Sequence, residues 1–192
     1  YFVFYLGDNI ILGGVDKLID KFKKDKVDAL LALSIVKDPQ RFGVPTIKNG
    51  KIIKVDEKPL RPASNFAVTG LYIYNKNIFK AVDKIRPSAR GELEISDAHT
   101  YLIKQGYRVG YEEITGWWKD TGKPEDLLEG NQFILSHMKF EDNKNGAKVG
   151  ERVVIQGQIK IGTGTVLEDN VLIRGPVIIG DNCIIKNSYI GP

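Results

Sequence analysis

The sequence has few of the residues and segments that define several protein classes. Its 192 residues include a single cysteine, Cys183, so no internal disulfide can form, which suits a reducing compartment. No apolar run approaches the roughly 20 residues of a membrane span, and residues 1–6 lack the basic n-region and cleavage site of a secretory signal. We therefore expect a cytoplasmic protein with no membrane partner.

The chain also has a small net charge and few histidines. The formal net charge is only +4, and the lysines of residues 21–26 alternate with aspartate, as on a solvated helix face. We therefore expect no nucleic-acid partner, whereas small anionic substrates remain open. The two histidines, His99 and His137, belong to no Ser/His or Cys/His pattern of nucleophilic catalysis, so we expect them in packing or surface roles.

Apolar patterning predicts an α/β domain. Hydrophobic residues make up 42% of the chain, enough for a sizeable core. Residues 1–6 form a short aromatic and β-branched run typical of a fully buried strand, and residues 15–22 carry apolar residues at helical spacing before a second buried strand at 29–36. This strand–helix–strand order predicts a Rossmann-like mixed, mostly parallel sheet. Because a buried first strand needs neighbours on both sides, we expect the chain to be a fragment of a longer protein.

Turn and cap patterns define the remaining elements of this domain. Asn49-Gly50 lies between two alternating runs and predicts a hairpin. Further elements are predicted as strands at 66–74 and 108–114, a strand ending at Asp120, and helices at 76–85, 93–106 and 123–138.

The pattern changes near residue 147, where an apolar residue begins to recur at every sixth position. The repeated residues are Val149, Ile155, Ile161, Leu167, Ile173, Ile179 and Ile185. This hexapeptide period is typical of a parallel β-helix, in which three six-residue sides complete one coil. We therefore predict two domains, residues 1–146 and residues 147–192.

Two carboxylates follow predicted strands, at the edge of the sheet where α/β proteins bind ligands. Asp8 and Asp120 each come after an apolar run and before a turn. Acids that converge from separate strands can hold Mg²⁺ together with phosphate oxygens. The alternative is that each acid caps the helix that follows it, and spacing alone leaves both interpretations open.

Other short motifs are candidates for substrate contacts. Gly43 in "FGVP" would let a ligand approach the backbone, or it is a plain turn. Glu57 and Lys58 in "DEKP" could contact a sugar hydroxyl and a phosphate, or form an exposed surface pair. Arg90 and Glu92 in "RGELEI" offer the same two chemistries, or they only precede a capped helix.

Taken together, the motifs resemble a known enzyme family. The stretches "LGDN", "FGV", "DEKPLRPASNFAVTGLYIY", "PSARGELEISD" and "WWKDTGKPEDLLEGN" resemble the sugar-1-phosphate nucleotidylyltransferases, and within them the glucose-1-phosphate thymidylyltransferases, over roughly residues 1–138. The resemblance implies transfer of a nucleotidyl group from a nucleoside triphosphate, dTTP or UTP, to a sugar 1-phosphate, most simply glucose 1-phosphate, with release of pyrophosphate.

The resemblance also implies roles for individual residues. Asp8 and Asp120 would hold the catalytic Mg²⁺, and Lys58 would contact the sugar phosphate and complete the catalytic set. The remaining substrate-binding residues would be Gly43, Glu57, Val68, Tyr72, Arg90 and Glu92. The family's Gly-rich loop, which holds the triphosphate, does not occur in this sequence, and we expect it to precede Tyr1.

The repeats resemble the left-handed β-helix that follows such domains in longer relatives. Some of these are bifunctional and acetylate amino-sugar phosphates in a trimer, with a histidine as base; no histidine follows His137 here. The resemblance therefore implies a homo-oligomer, a trimer through the coil, and leaves two alternatives for the coil: assembly only, or acetyl transfer. A non-catalytic regulatory relative that uses the coil for assembly is the alternative to an enzyme.

Overall fold

The computed structural model describes residues 1–191. The chain divides into two compact units, Tyr1–Thr121 and Gly122–Pro192. No helix in the described residues is long and apolar enough to cross a membrane.

The first unit alternates strands and helices much as the apolar pattern predicts. Asn49 and Gly50, both with positive φ, form the predicted two-residue hairpin turn. In chain order the elements are β1 (Phe2–Tyr5), β2 (Asn9–Ile11), α1 (Asp16–Asp25), β3 (Ala29–Ile35), a 3-10 turn (Pro39–Arg41), β4 (Gly43–Lys48), β5 (Lys51–Glu57), β6 (Phe66–Tyr74), α2 (Asn77–Val82), α3 (Ile95–Lys104), β7 (Val109–Glu113) and β8 (Trp118–Asp120).

The main sheet is mixed, but the prediction of mostly parallel pairing is wrong. The strand order is β5-β4-β6-β3-β7, and β1 pairs with β6 beside β4. Only the β3–β7 pair is parallel; β1–β6, β3–β6, β4–β5 and β4–β6 are antiparallel. One physical reason is that the tight Asn49-Gly50 turn makes β4 and β5 antiparallel neighbours. In addition, β6 lies between β4 and β3, and both of these strands run antiparallel to it.

Strand β6 lies at the centre and serves a core on each face of the sheet. Its residues alternate, so that Tyr72 packs in the core covered by α3, while Leu71 packs in the core covered by α1. On the second face α1 contributes Leu18 and Phe22, the helical spacing that the sequence shows. Together the two faces bury residues 29–33 of β3 and all of β6 except its first residue.

Strand β1 is less buried than its sequence predicts. Val3, Phe4 and Tyr5 are 38%, 45% and 47% exposed. Among the described residues β6 is its only strand partner, which leaves its other edge unpaired. An apolar run is therefore necessary for a buried strand but does not make one without neighbours on both sides.

The second unit contains helix α4 (Pro124–His137) and a series of short strands. The strands are β9 (Lys148–Val149), β10 (Val153–Gln156), β11 (Ile159–Ile161), β12 (Val166–Leu167), β13 (Val171–Arg174), β14 (Val177–Ile179), β15 (Ile184–Ile185) and β16 (Ser188–Ile190). They form three small parallel sheets, β10-β13-β16, β11-β14 and β15-β12-β9.

The hexapeptide period sets the pairing of these strands. Ile155 lies opposite Ile173 and Ile161 opposite Ile179, a separation of eighteen residues, or three hexapeptides. Ile161, Leu167 and Ile173 are fully buried in one core. In the middle of the repeat, two residues of each hexapeptide are therefore buried between the sheets, the apolar one that recurs at every sixth position and the one two residues before it, such as Ile173 and Val171.

Candidate functional site

Of the two candidate metal-binding acids, Asp120 ends β8 and Asp8 directly precedes β2. Strands β2 and β8 are antiparallel, with Asn9 opposite Asp120. The backbone N–H and the hydroxyl of Thr121 both donate to the carbonyl oxygen of Asp8 at 2.8 Å. The sequence separates these acids by more than a hundred residues, and the β2–β8 ribbon brings their backbones side by side.

Neither acid caps a helix. The N-cap position of α1 is Val15 and that of α4 is Lys123, and neither makes a side-chain cap hydrogen bond. The structure therefore removes the alternative that Asp8 and Asp120 owe their positions to capping.

Asn9 connects this ribbon to the main sheet, a role that the sequence analysis missed. Its side-chain oxygen accepts hydrogen bonds from the Gly70 N–H at 3.0 Å and the Trp118 indole at 2.7 Å, and its amide donates to Asp8 Oδ1 at 2.8 Å. A Cβ at residue 70 would lie 2.5 Å from Asn9 Nδ2. The glycine inside the β6 sequence "VTGLY" was the available indication, because glycine within a strand marks a close approach.

Gly43, Glu57 and Val68 lie together where three strands meet. Gly43 on β4 pairs with Glu57 on β5 and with Val68 on β6. A Cβ at residue 43 would lie 2.6 Å from the hydroxyl of Ser96 and 3.3 Å from Glu57 Oε2. Gly43 is therefore a strand residue that must be small, and the plain-turn interpretation is wrong.

Tyr72 is a buried residue of β6, the strand that also carries Val68 and Gly70. It is 4% exposed, and burial raises the pKa of its phenol above the usual range, with smaller contributions from the charges of Glu57 and then Asp8. Both carboxylates thus act electrostatically on the same ring. The structure brings Asp8, Glu57, Val68 and Tyr72 to one region of the sheet.

Lys58 follows directly at the end of β5. Its φ of 42° is in the left-handed region, and its N–H donates to the Phe42 carbonyl at 3.0 Å. The side chain is exposed, and within residues 1–191 its ammonium has no ion-pair partner, Glu57 included. The part of the chain that the structure describes thus shows no ion pair between Glu57 and Lys58, and a role for Lys58 in binding phosphate stays a prediction.

Arg90 and Glu92 lie in the exposed loop before α3. The guanidinium of Arg90 pairs with Glu92 Oε2 and lies 3.5 Å from Glu94 Oε1. The helix begins at Ile95, and Glu94, its N-cap residue, makes no capping hydrogen bond. The structure thus pairs the two candidates with each other, and Glu94 competes for the same arginine.

The carboxylates suit a hard divalent cation that is bound mainly through its substrate. The described residues contain no group of three or more His, Cys, Asp or Glu side chains arranged to hold a metal. Mg²⁺ is commonly bound by one or two carboxylates, with phosphate oxygens and water in the remaining positions. Asp8 and Asp120 fit that mode and not a site made entirely of protein ligands.

The histidines take the packing and surface positions expected for them. His99 is fully buried, with Nε2 2.6 Å from the Tyr74 hydroxyl, and burial lowers its pKa to about 3. His137 lies at the exposed end of α4, where Nδ1 is 3.0 Å from the Ser136 hydroxyl. Neither forms a nucleophile–base pair at the candidate site.

A sequence profile described as "Nucleotidyl transferase" matches residues 1–137. The chain belongs to the nucleotidyl transferase family. The match covers the main sheet, the β2–β8 ribbon and α4, and thus every candidate residue described above.

Curated relatives within the nucleotidyl transferase family match most or all of the chain. Glucose-1-phosphate thymidylyltransferase from Streptomyces antibioticus is 41% identical over 193 aligned residues, and that from Streptomyces griseus is 38% identical over 192; each alignment covers 100% of this chain and 53% of the relative. A low-salt glycan biosynthesis nucleotidyltransferase from Haloferax volcanii is 40% identical over 161 residues, covering 83% of this chain and 44% of the relative. The chain thus spans about half the length of the curated relatives it matches.

A solved structure agrees with the family membership. A Bacillus anthracis protein, provisionally named glucose-1-phosphate thymidylyltransferase and crystallised with a sucrose, is 40% identical with a TM-score of 0.63. The alignment covers 73% of this chain and 56% of that one.

Proposed function

We propose that the natural protein carrying this sequence transfers a nucleotidyl group from dTTP or UTP to a sugar 1-phosphate, glucose 1-phosphate in the first instance. A phosphate oxygen of the sugar forms a new bond to the α-phosphorus while the bond to the leaving pyrophosphate breaks. The main structural support is geometric. The backbone of Asp8 is hydrogen-bonded to Thr121 beside Asp120, and Gly43, Glu57 and Val68 meet where β4, β5 and β6 pair.

The residues of the sheet would form the sugar-phosphate site. Glu57, fixed at the end of β5, would accept hydrogen bonds from sugar hydroxyls, and Lys58 would place its charge on the sugar phosphate. Gly43 and Val68 would line the same surface without blocking it, because residue 43 has no side chain. Such a site contributes to the rate mainly by holding the reacting oxygen in line with the phosphorus.

The loop before α3 would complete the substrate contacts. The Arg90 side chain would turn from Glu92 towards a phosphate oxygen of the substrate. The Glu92 carboxylate could then accept a hydrogen bond from a sugar hydroxyl. Tyr72 would form part of the apolar surface against the sugar, and its raised pKa keeps it neutral and able to donate a hydrogen bond.

Asp8 and Asp120 would bind Mg²⁺, which when bound neutralises charge on the phosphate oxygens. Asn9 and Thr121 hold the backbone and one carboxylate oxygen of Asp8, so the chain's own contribution is to keep the two acids together. No covalent nucleophile is required for this reaction class.

For the strands from β9 to β16 we propose a left-handed β-helix that assembles the protein as a homo-trimer. The support is the three-sided parallel pairing at an eighteen-residue separation. Bifunctional nucleotidylyltransferase/acetyltransferases occur among the relatives, for example in Sulfurisphaera tokodaii. The strands from β9 to β16 contain no histidine to serve as a base, so we assign assembly, and not acetyl transfer, to this segment.

A pyrophosphate-release panel tests the proposal directly. The natural protein is incubated with each of dTTP, UTP and other nucleoside triphosphates, crossed with several sugar 1-phosphates, in Mg²⁺. We expect release only with matched pairs, with glucose 1-phosphate among the accepted sugars. No release with any pair would support the non-catalytic alternative instead.

A further inference from the structure

Helix α3 presents a row of polar side chains to the core, where apolar residues would be expected. Ser96, His99 and Thr100 are 1%, 0% and 8% exposed and lie at positions i, i+3 and i+4, on one face of the helix. Buried polar groups persist where hydrogen bonds satisfy them, so each contact of this face is informative. Ser96 and Thr100 make hydrogen bonds to strand β5, which carries Glu57, and His99 contacts Tyr74 on β6.

Ser96 contacts Glu57 at the point where Gly43 provides space. The Ser96 hydroxyl donates to Glu57 Oε2 at 2.7 Å. A Cβ at residue 43 would come within 2.6 Å of the same hydroxyl. The hydroxyl therefore occupies a pocket that exists only because residue 43 is glycine, and it has little freedom to move elsewhere.

Thr100 fixes the backbone of the same strand two residues earlier. Its hydroxyl accepts from the Val55 N–H at 2.9 Å and donates to the Val55 carbonyl at 2.8 Å. Since β5 is the edge strand of the sheet, these two bonds satisfy backbone groups on its unpaired side. One turn of α3 thus holds both the backbone of β5 and the carboxylate at its end.

We propose that Ser96 is a positioning residue for the sugar site. It holds one carboxylate oxygen of Glu57, so that the half-exposed side chain presents its other oxygen to a sugar hydroxyl in a fixed direction. Thr100 fixes the backbone of β5 at Val55, and Gly43 leaves space for the Ser96 hydroxyl. This inference rests on the proposed function, because it assigns Ser96 a task only if Glu57 binds the sugar.

The proposal predicts a selective kinetic effect. In Ser96→Ala, Glu57 keeps its charge but loses the bond that orients it, so the KM for glucose 1-phosphate should rise about tenfold, the equivalent of one hydrogen bond. The KM for the nucleoside triphosphate should change less than about twofold. If Ser96 had a purely structural role, Ser96→Ala would instead lower the amount of folded protein and leave both KM values unchanged.

A double-mutant cycle with Glu57→Ala provides the decisive test in the natural protein. If Ser96 acts only through Glu57, then adding Ser96→Ala to Glu57→Ala changes the KM for glucose 1-phosphate less than about twofold. Thr69→Val is the matched control, because Thr69 is another buried hydroxyl, bonded to the Ala32 carbonyl on the other face of β6. It should lower the melting temperature without changing the KM for glucose 1-phosphate.

The possible results separate this inference from the proposed function. A wild-type protein that releases no pyrophosphate with any substrate pair overturns both. An active wild type in which Ser96→Ala raises both KM values equally, or keeps its effect in the Glu57→Ala background, overturns only the role of Ser96. If Ser96→Ala does not fold, Ser96→Cys keeps the side-chain volume with a weaker donor and gives the same readout.

Discussion

Single side chains set the chemistry of the candidate site, and their neighbours set their orientation. Asn9 illustrates this at residue scale, because one amide joins Asp8, the Gly70 backbone and the Trp118 indole. Spacing along the chain identifies acids at strand ends, but it does not identify the amide that holds them. The predictions for this scale therefore change charge or volume at one position and leave the neighbours in place.

Removing one negative charge from the acid pair should abolish most turnover. Asp8→Asn and Asp120→Asn keep the side-chain size, so we expect an unchanged melting temperature and a loss of more than about a hundredfold in kcat, since metal binding weakens. Pyrophosphate release is measured at limiting and saturating Mg²⁺. Asp16→Asn, an exposed acid in α1, is the control, and near-normal turnover of either site variant at limiting Mg²⁺ would contradict the metal assignment.

Replacing Lys58 should affect one substrate only. Lys58→Met removes a charge-assisted contact of about 1.5–3 kcal/mol with the sugar phosphate. We therefore expect a KM for sugar 1-phosphate at least tenfold higher, with the KM for the nucleotide nearly constant. Lys54→Met, which removes an exposed lysine paired with Asp56 on the same strand, is the matched control. Equal effects on the two substrates would show that Lys58 is not on the sugar phosphate.

Adding one methyl group at Gly43 should disturb the sugar site by contact alone. In Gly43→Ala the new Cβ would approach Ser96 Oγ to 2.6 Å, so either the hydroxyl or the strand must shift, at a cost of about 1–3 kcal/mol. Thermal unfolding should show a lower melting temperature, and Ser96→Ala in the same chain should recover part of it. Gly180→Ala, whose Cβ would meet only Cys183 Sγ at 4.0 Å, should be nearly silent.

At the scale of elements, helix α3 is unusual because the face that it buries carries polar side chains. Its apolar residues pack on the sheet as the helical spacing predicts, yet its buried hydroxyls and imidazole make the specific contacts. The same pattern of periodicity would fit a helix with an entirely apolar face. Which of these polar residues are buried depends on the strand that they meet, here β5 and β6.

The imidazole of α3 should make stability depend on pH. His99 has a pKa of about 3 when folded, because it is fully buried against Tyr72 and Tyr74, and 6.5 as its ordinary value. Between these values the unfolded chain binds more protons, so stability should fall as pH decreases from 6.5 towards 3, by about 1.4 kcal/mol per unit.

Denaturant unfolding of wild type and His99→Gln across that range measures the effect. The glutamine does not titrate, so its stability should be flatter between pH 6.5 and pH 4. For Asp28, burial is the largest single influence and raises the pKa, but the hydrogen bonds from Asn75, the Arg108 backbone and Asn77 together lower it. Asp28 therefore adds its own loss of stability only below about its ordinary pKa of 3.8. Parallel curves for the two proteins above pH 4 would show that His99 is not buried in a neutral form.

At the scale of the whole molecule, the chain forms two compact units with different types of secondary structure. Residues 1–121 form a mixed sheet with helices on its faces, and residues 122–192 add a helix and three small parallel sheets. The first unit carries the candidate site. The second carries a repeat of six residues whose buried positions form a separate apolar core.

Breaking the core of the repeat should change the oligomeric state. Ile173 is fully buried in the coil, so Ile173→Asp buries an unpaired charge and should disrupt the local strands. Light scattering should then report a smaller species than the trimer proposed for wild type. Ile173→Val, at a cost of about 0.5–1.5 kcal/mol, should keep the wild-type mass, and a monomeric wild type would refute assembly through the coil.

The sequence by itself determined the local elements, the hairpin at Asn49-Gly50, the six-residue period and the candidate acids. These follow from turn chemistry and from apolar periodicity, which act between near neighbours in the chain. It also determined the family, through motifs that extend over residues 1–138. Most of the helices and longer strands were therefore predictable from the sequence, whereas the short strand β2 (Asn9–Ile11) was not predicted.

Only the tertiary structure decided the direction of strand pairing, the exposure of β1 and the contacts around Glu57. Outside the β4–β5 hairpin, a buried apolar strand can pair with parallel or with antiparallel neighbours, so its apolar pattern does not fix the direction. Gly43, Glu57 and Ser96 are distant in sequence and meet because β4, β5 and α3 pack together. Contacts of this kind depend on the arrangement of whole elements, which local periodicity does not encode.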